Sequence, residues 1–453
     1  MNAMTPPPIR LNEDQEAALA AILDSYGQRD FNPRYLLTGY AGSGKTTLMQ
    51  SVVWELVEAG AAPVVTAPTH KAVQVLRRKL DEAGLGDVPA MTIHALLGLK
   101  PAAGDSEKTV LKRGGRPQTG LHRAIIIDEC SMIGSDMQTF IENDLKHHWV
   151  LYVGDPAQLP PVGEEMAPCF ATERRSTLNT VVRQAAGNPI LKAATLLRSQ
   201  EPGQMDWSWC QPAEDGPHGI FMAGDGADEW MRDAFTSPEF AANNDAFRYV
   251  CYTNERVREV NSKVRRWIYG ETPTPFVPGE RVICRKPVSV LGAGMAFSTN
   301  EEAIVDSIEA GTKLVSFEAV NGVGRERAAL EAWSTELRTW DVRLRHSDMG
   351  TVLCQVPQND NDLKAIDRRL VSEAKANPGR WFARFSFLEE VGDLRCVYAL
   401  TAHSSQGSTF DNVFLDVADC SKLERSNLEE MKKLLYVAVT RARFALAAVG
   451  SPR

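Results

Sequence analysis

The segment GYAGSGKT, residues 39–46, constrains the fold of this chain more than any other stretch. It fits the pattern GxxxxGK followed by Ser or Thr, and it stands between an apolar run at residues 35–38 and a long helical pattern. In that context the motif binds nucleotide phosphates. Its glycines let backbone N–H groups turn toward a phosphate, Lys45 supplies a positive charge, and the Thr46 hydroxyl can ligate Mg2+. The predicted ATP-binding residues of the loop are Gly42, Ser43, Gly44, Lys45, Thr46 and Thr47.

Length and composition set bounds on the fold and on the partners. The chain has 453 residues, 43% of them apolar, so we expect two or more globular domains. No run approaches the roughly 20 apolar residues that cross a bilayer, and the eight cysteines form no CxxC pair. We therefore expect a cytoplasmic protein without a membrane partner, zinc or disulfides. The net charge of -8 argues only weakly against nucleic acid, because a basic groove can lie on an acidic surface.

Continuously apolar strands alternate with helical patterns, as in parallel sheets that helices cover on both faces. The candidate strands are residues 35–38, 64–67, 124–128, 150–154, 249–252, 413–416 and 445–449. The period changes between about residues 279 and 397. There the segments RVIC, EEAIVDSI, KLVSFEAV and RWFARFSF are typical of short strands, and residues 327–337 and 362–376 of helices. The sequence thus predicts an α/β fold with an inserted β-rich module that carries a helical excursion.

Two carboxylates end the apolar strand in AIIIDECSM. Asp128 can hold Mg2+ through water while Glu129 polarises an attacking water, which are the roles that phosphoryl transfer to water requires. Downstream, VGDPAQLPPV places the Gln158 amide where it could sense a γ-phosphate. Arg441 has no carboxylate close by in sequence, as expected of an arginine that reaches a phosphate across a cleft. Together with the phosphate loop, these residues predict ATP hydrolysis.

A second group of polar residues suits a nucleic-acid backbone. In TAPTHKAV a strand ends in Thr69, His70 and Lys71, whose hydroxyl, imidazole and ammonium groups are donors of the kind that contact sugar and phosphate. A basic segment at residues 100–123 contains the short apolar centre Thr109-Val110-Leu111 between glycine and proline turn signals. This pattern favours a small hairpin.

The motifs together resemble those of superfamily 1 helicases, specifically the RecD/Dda-like branch that moves 5' to 3' on single-stranded DNA. They occur in the family's order along the chain. The matching segments are LNEDQ (11–15), GYAGSGKT (39–46), TAPTHKA (66–72), TIHALLG (92–98), DECSM (128–132), GDPAQLPP (154–161), VVRQ (181–184), YTNERVREVN (252–261), TAHSSQGST (401–409) and YVAVTRA (436–442).

The resemblance implies two RecA-like motor domains with ATP between them, a small hairpin insert in the first and an SH3-like β-barrel insert in the second. The implied boundaries are 1–180 for the first motor domain with its hairpin at 95–122, 181–278 and 397–453 for the second, and 279–396 for the barrel insert with its helical excursion. The hairpin would stand at the fork and part the strands.

The resemblance also implies roles for single residues. Gln15 would read adenine, and Arg183 and Arg441 would converge on the γ-phosphate. Further residues that the resemblance places at ATP are Gln406 and Gly407, and those that it places near DNA are Thr92, His94, Thr401 and His403. Relatives often carry lysine where this chain has Ser404, so a contact made by that lysine is not expected here.

The sequence predicts a DNA-dependent ATPase and helicase that uses ATP and Mg2+, acts on single-stranded DNA and the duplex fork, and functions as a monomer. Three alternatives stay open at this point. The first is a motor of opposite polarity or one that acts on RNA, and the second is a P-loop ATPase that remodels protein complexes. The third is a nucleotide-gated DNA-binding module without motor activity, which intact Glu129 and Arg441 disfavour.

Overall fold

The structure is a computed structural model that describes residues 10–28, 33–103, 109–120, 122–179, 187–290, 294–297, 299–322, 328–346 and 350–451. The chain divides into two compact units. The first comprises Met1–Leu99, Arg113–Ile268 and Tyr398–Arg453, and the second comprises Lys100–Lys112 and Tyr269–Val397. The domain boundaries predicted from the resemblance stay predictions. No helix in the described ranges is long and apolar enough to cross a membrane.

The first unit begins with a parallel sheet and its helices. The helices are α1 (Glu13–Gly27), α2 (Lys45–Glu58), α3 (His70–Glu82), α4 (Ile93–Leu96) and α5 (Ser135–Asp144). The strands are β1 (Arg34–Gly39), β2 (Pro63–Ala67), β3 (Ala90–Thr92), β4 (Leu99–Ala103), β5 (Thr109–Arg113), β6 (Ala124–Ile127), β7 (Trp149–Gly154) and β8 (Arg175–Leu178). The sheet has the order β3-β2-β6-β7-β1-β8, and all its pairings are parallel. Strands β4 and β5 pair separately as a two-stranded sheet, and Lys100–Lys112, which includes most of both strands, belongs to the second unit.

The next elements of the first unit lie between residues 189 and 269. They are α6 (Pro189–Arg198), α7 (Ala227–Phe235), α8 (Pro238–Ala242), α9 (Asn254–Tyr269), β9 (Ala213–Asp215), β10 (His218–Met222) and β11 (Phe247–Cys251).

The second unit is largely antiparallel. Its elements are β12 (Arg281–Cys284), β13 (Val288–Val290), β14 (Gly294–Phe297), β15 (Glu301–Phe317), β16 (Trp333–His346), β17 (Gly350–Pro357), α10 (Asp360–Ala376), α11 (Arg380–Glu390) and β18 (Leu394–Cys396). Five of the strands form an antiparallel sheet in the order β17-β16-β15-β12-β18. The long β15–β16 pair runs from Ile304 opposite Arg345 to Phe317 opposite Trp333. The SH3-like identity of this unit stays a prediction.

The chain then returns to the first unit with β19 (Ala399–Thr401), β20 (Phe410–Asp416), α12 (Val417–Cys420), α13 (Leu428–Val439) and β21 (Ala442–Val449). The second sheet has the order β19-β11-β20-β21-β10-β9, and only β9 pairs antiparallel. The α/β fold with two parallel sheets is therefore confirmed. Its central strands β2, β6 and β7 are buried along their whole length, as strands with helices on both faces must be.

Two local predictions for the insert were wrong. RWFARFSF is not a strand but lies in α11, and residues 333–337, predicted as helical, begin strand β16. The apolar residues of RWFARFSF fit both periods, and packing decides between them. Phe387 and Val391 join a hydrophobic cluster with Phe317 of β15 and Leu370 of α10. Residues 323–327, which include the predicted start of that helix, lie outside the described part of the chain.

Candidate active site

The phosphate loop joins the end of β1 to the start of α2. Gly42 and Gly44 have φ values of 79° and 80°, a left-handed conformation that glycine adopts without steric cost. Gly44 caps α2 but offers no side chain to the first-turn amides, and the first turn contains no acidic residue. The Ser43 hydroxyl is buried and has no hydrogen-bond partner in the structure. These open N–H groups and the hydroxyl are suited to an anion at the helix N-terminus.

Lys45 lies over this loop. Its ammonium donates to the carbonyl oxygens of Gly39 and Tyr40, the latter at 3.1 Å. A Cβ on Gly39 would stand 2.5 Å from Ser43 Oγ, so only glycine lets the strand end approach the loop this closely. The amides, the hydroxyl and the ammonium therefore form a set of donors that fits the phosphates of a nucleotide.

The two predicted catalytic carboxylates follow β6, beside β2. The backbone N–H of Asp128 donates to the Thr66 carbonyl at 2.8 Å, and the N–H of Glu129 donates to Asp128 Oδ1 at 2.9 Å. Burial and the neighbouring charge of Glu129 raise the pKa of Asp128 to about 6, while Lys45 acts in the opposite direction. Two carboxylate groups with the Thr46 hydroxyl are oxygen donors of the kind that Mg2+ prefers.

The segment after β7 lies against these carboxylates. Ser131 Oγ donates to Gln158 Oε1 at 3.2 Å. Because Ser131 is two residues after Glu129, this bond holds the predicted γ-phosphate sensor close to the predicted base.

The side-chain amide of Gln15 donates to the Ser43 carbonyl at 3.2 Å and accepts from the Asn12 N–H at 3.0 Å. Gln15 thus contacts the phosphate loop directly.

Arg441 follows α13 and is 6% exposed. Its guanidinium donates to the carbonyls of Val437 and Ser408, at 3.0 and 2.9 Å, and to Thr440 Oγ1 at 3.1 Å. Burial lowers the pKa of Arg441, and the nearby charges of Glu129 and, more weakly, Asp155 oppose this shift. Arg441 is therefore within electrostatic range of the predicted base. Arg183 lies outside the described residues.

Several predicted DNA-contacting residues of the first sheet lie at the carboxyl ends of β2 and β3. Thr69 and Thr92 are N-caps, and their hydroxyls accept from Ala72 N and Ala95 N at 3.2 and 3.1 Å. Burial lowers the pKa of His94, with a smaller contribution from His70, so the two imidazoles are neighbours. This arrangement places Thr69, His70 and His94 along one edge of the sheet.

Lys71 and the Thr401–Gly407 segment connect this edge to the second sheet. Lys71 Nζ lies 3.6 Å from Asp245 Oδ1. Gly407 has a φ of 71°, and a Cβ there would lie 3.2 Å from the Cβ of Ala72, so the segment packs closely on the start of α3. The adjacent Gln406 donates from Nε2 to the Leu159 carbonyl at 3.2 Å.

The other predicted residues of this segment are held by their own loop. Thr401 Oγ1 lies 3.0 Å from Ser404 Oγ and accepts from the Ser404 N–H at 3.1 Å. His403 lies near Tyr252, with ring centroids 6.4 Å apart. Burial lowers the pKa of His403, although Glu430 opposes the shift, so the ring is neutral at pH 7. Ser404 thus supports the loop at the position where relatives often carry lysine.

Comparisons with known proteins agree with this geometry. A family model described as an AAA domain matches residues 10–209, and one described as a UvrD-like helicase C-terminal domain matches residues 396–449. The chain is 24% identical over 459 residues to the ATP-dependent DNA helicase dda of Enterobacteria phage T4, which covers 96% of this chain and 98% of the phage protein. By these matches the chain is similar to the RecD/Dda-like branch of superfamily 1 helicases.

Two further proteins are similar to this chain over most of its length. The RecBCD enzyme subunit RecD of Mycobacterium tuberculosis is 24% identical over 459 residues, which covers 92% of this chain and 66% of that subunit. The fold is similar to that of Pif1 helicase from Bacteroides in complex with ADP-AlF3 and ssDNA, with a TM-score of 0.50 and 16% identity over 97% of this chain and 92% of the other.

Within this RecD/Dda-like chain the structure also shows contacts of motif residues to which the sequence analysis gave no role. Tyr436 of α13 donates to Asp155 Oδ2 at 2.5 Å and accepts from the Ala41 N–H of the phosphate loop at 2.9 Å. In the sequence, Tyr436 lies inside a largely apolar helical run, a pattern that is typical of a core position. Only the proximity of three distant segments reveals its contacts.

Proposed function

We propose that this chain is an ATP-dependent DNA helicase that translocates 5' to 3' on single-stranded DNA and unwinds duplex DNA. The observation that carries the proposal is the position of Gln406 and Gly407. Gln406 bonds to Leu159, next to the proposed phosphate sensor Gln158, while Gly407 packs on the start of α3 beside Thr69. Two adjacent residues of the loop between β19 and β20 thus contact both the nucleotide side and the DNA side of the first sheet, as a motor that couples hydrolysis to strand movement requires.

The relatives support the choice of substrate. The phage T4 relative is named an ATP-dependent DNA helicase, and the similar Bacteroides protein was solved with ADP-AlF3 and ssDNA. A further Pif1 structure of the same fold, with a TM-score of 0.50, concerns unwinding at forked dsDNA. By this likeness we assign single-stranded DNA and the duplex fork as the partners of the chain. The cytoplasmic location and the action as a monomer stay predictions.

The proposed chemistry assigns one task to each residue. The loop amides and Lys45 bind the phosphates of ATP, and Thr46 and Asp128 hold Mg2+. When bound, the ion neutralises phosphate charge as it develops in the reaction. Glu129 accepts a proton from the attacking water, and Gln158 contacts the γ-phosphate. Arg441 leaves its carbonyl partners to stabilise transition-state charge when the cleft closes.

The proposed DNA grip uses the residues at the sheet edges. Thr69, His70 and Lys71, with Thr92 and His94, contact the backbone from the first sheet. Thr401 and His403 contact it from the second. His94 and His403, whose pKa values are lowered, are neutral at pH 7. Lys71 therefore carries most of the ionic part of this grip.

Unwinding of duplexes that carry one single-stranded tail tests the proposal. We expect ATP-dependent unwinding of a DNA duplex with a 5' tail and none with a 3' tail, together with ATPase stimulation by single-stranded DNA. Unwinding only from a 3' tail would establish the opposite polarity, and preference for an RNA tail would make the chain an RNA motor. An ATPase rate indifferent to nucleic acid would favour an ATPase that remodels protein complexes.

Arg441→Ala is expected to lower DNA-stimulated ATP turnover about a hundredfold, the effect of losing one donor to transition-state charge. The nucleotide-free affinity for single-stranded DNA should change little, because the Arg441 bonds in this structure all go to its own segment and to Ser408. Turnover and fluorescence anisotropy with a labelled oligonucleotide measure the two quantities.

Arg443→Ala is the matched control for this prediction. Arg443 has a side chain 65% exposed and lies 3.7 Å from Asp411 on the surface, where an ion pair contributes little. The control should retain wild-type turnover. A large loss of nucleotide-free DNA affinity in Arg441→Ala alone would show that Arg441 contacts DNA instead.

A further inference from the structure

Tyr436 joins three segments that are far apart in the chain. Its hydroxyl donates to Asp155, which follows β7, and accepts from the backbone N–H of Ala41 in the phosphate loop. Tyr436 is 2% exposed and Asp155 is 1% exposed. Asp155 Oδ1 also accepts from the Ala157 N–H at 2.9 Å, so the carboxylate is fixed on both oxygens. The hydroxyl thus bridges the helix α13 of the second sheet to the nucleotide side of the first.

The chemistry of the bridge is that of a strong, directional contact. Burial and the negative charge of Asp155 raise the pKa of Tyr436 well above its usual value, so the phenol is protonated and donates at neutral pH. A hydrogen bond to a buried carboxylate contributes more than one between neutral groups. The bridge therefore resists any displacement of α13 from the loop.

The position of Tyr436 along α13 connects this contact to Arg441. Residues from Leu434 to Val439 are all buried, so this end of the helix moves as a packed body. Arg441 lies two residues after the end of the helix, and its guanidinium donates to the carbonyl of Val437, the residue after Tyr436. A change in the distance between Tyr436 and the phosphate loop must therefore also move Arg441.

We infer that Tyr436 is a positioning residue that acts through Asp155 and the Ala41 N–H to set α13, and with it Arg441, against the phosphate loop during ATP turnover. This role rests on the proposed function, in which Arg441 stabilises the transition state. Tyr436 itself contacts no substrate in this account. Its hydroxyl couples the position of α13, which packs with the second sheet, to that of the phosphate loop of the first sheet.

Tyr436→Phe tests the inference because it removes the hydroxyl and keeps the buried ring. We expect kcat for ATP to fall about tenfold, the effect of one hydrogen bond to a charged group, while KM for ATP stays within about twofold. Asp155→Asn should lower kcat similarly, because asparagine has one acceptor oxygen where Asp155 uses two: with that oxygen on the Ala157 N–H, the NH2 group faces the phenol and cannot accept its proton. The double variant should be no slower than the slower single variant, because both substitutions break the same contact.

Tyr152→Phe is the matched control. Tyr152 is a fully buried tyrosine of β7, the strand that Asp155 follows. Its hydroxyl accepts from the Gln138 side chain of α5, so this bond joins two elements that both belong to the first sheet and its helices. Loss of the Tyr152 hydroxyl should lower the unfolding midpoint, as loss of the Tyr436 hydroxyl does, but leave kcat unchanged. An equal fall of kcat in Tyr436→Phe and Tyr152→Phe would show that kcat falls because the protein is less stable, and it would overturn the inference.

The measurements are made with and without single-stranded DNA, so that two failures are told apart. A wild-type kcat that DNA does not change contradicts the proposed function, and the inference is then judged on the ratio of the basal kcat values. A Tyr436→Phe kcat within twofold of wild type under both conditions overturns the inference and leaves the proposed function standing. A raised KM with unchanged kcat would also overturn it, because the hydroxyl would then serve nucleotide binding alone.

Discussion

Glu129→Gln is expected to lower steady-state ATP turnover by up to about ten-thousandfold, the upper range for removal of a general base. ATP and Mg2+ binding should be retained, because glutamine keeps the size of the side chain and leaves Asp128 and Thr46 in place. Steady-state turnover with single-stranded DNA and equilibrium binding of a nucleotide analogue measure the two quantities.

The backbone at Glu129 explains why glutamine is the appropriate replacement. Glu129 has a φ of 52°, a left-handed conformation that is unusual for a residue other than glycine. Its N–H also donates to Asp128 Oδ1, so a change of backbone would disturb the proposed metal ligand. Glutamine meets the same backbone constraint as glutamate, and the variant therefore isolates the loss of the base.

Glu142→Gln is the control for this experiment. Glu142 is an exposed residue of α5 whose carboxylate accepts from Gln138 at 3.0 Å, away from the phosphate loop. It should leave turnover unchanged. A Glu129→Gln turnover within a factor of two of wild type would show that another group activates the water.

Replacement of residues 101–112 by a short Gly-Ser link is expected to abolish or strongly reduce duplex unwinding. This segment contains most of the β4–β5 hairpin. From the resemblance to the family we expect the hairpin to stand at the fork and part the strands. ATPase stimulation by single-stranded DNA should persist, because the residues that we assign to ATP and to the DNA backbone lie elsewhere in the chain. An unwinding assay on a 5'-tailed duplex and an ATPase assay measure the two activities.

Hydrogen bonds and an ion pair fix the chain on either side of the β4–β5 hairpin. The N–H groups of Gly114 and Gly115 donate to the Gly98 carbonyl at 2.8 and 3.0 Å. Arg113 donates to the Leu97 carbonyl at 3.2 Å and pairs with Asp144 of α5. A two-stranded hairpin gains little stability from its own contacts. These bonds fix the chain that flanks it.

Gly98 explains why the base tolerates little change and why the replacement begins after it. Gly98 has a φ of 61°, and a Cβ there would lie 2.7 Å from the Gly115 carbonyl oxygen. The Gly-Ser link leaves Gly98 and Arg113 intact, so the variant removes the lever without disturbing its support. Wild-type unwinding by this variant would place the wedge elsewhere and make the hairpin a surface feature.

The local parts of the candidate site could be predicted from the sequence because their geometry depends on neighbours in the chain. The strand, the glycine-rich loop and the helix that carries Lys45 follow one another directly, and so do β6 and the carboxylates. The parallel strands were predicted from continuously apolar runs, and the RecD/Dda-like family from ordered motifs. Both predictions are confirmed. The roles of the individual site residues stay proposals.

Tertiary structure alone decided the rest, because the deciding contacts join residues far apart in sequence. The run RWFARFSF fits a helix and a strand equally well until Phe387 packs on β15 and α10. Likewise, Tyr436 and Asp155 are separated by 281 residues, and no spacing or periodicity relates them. Their hydrogen bond exists because the packing of α13 brings a buried donor to a buried acceptor, and the phenol O–H would otherwise be a donor without an acceptor away from water.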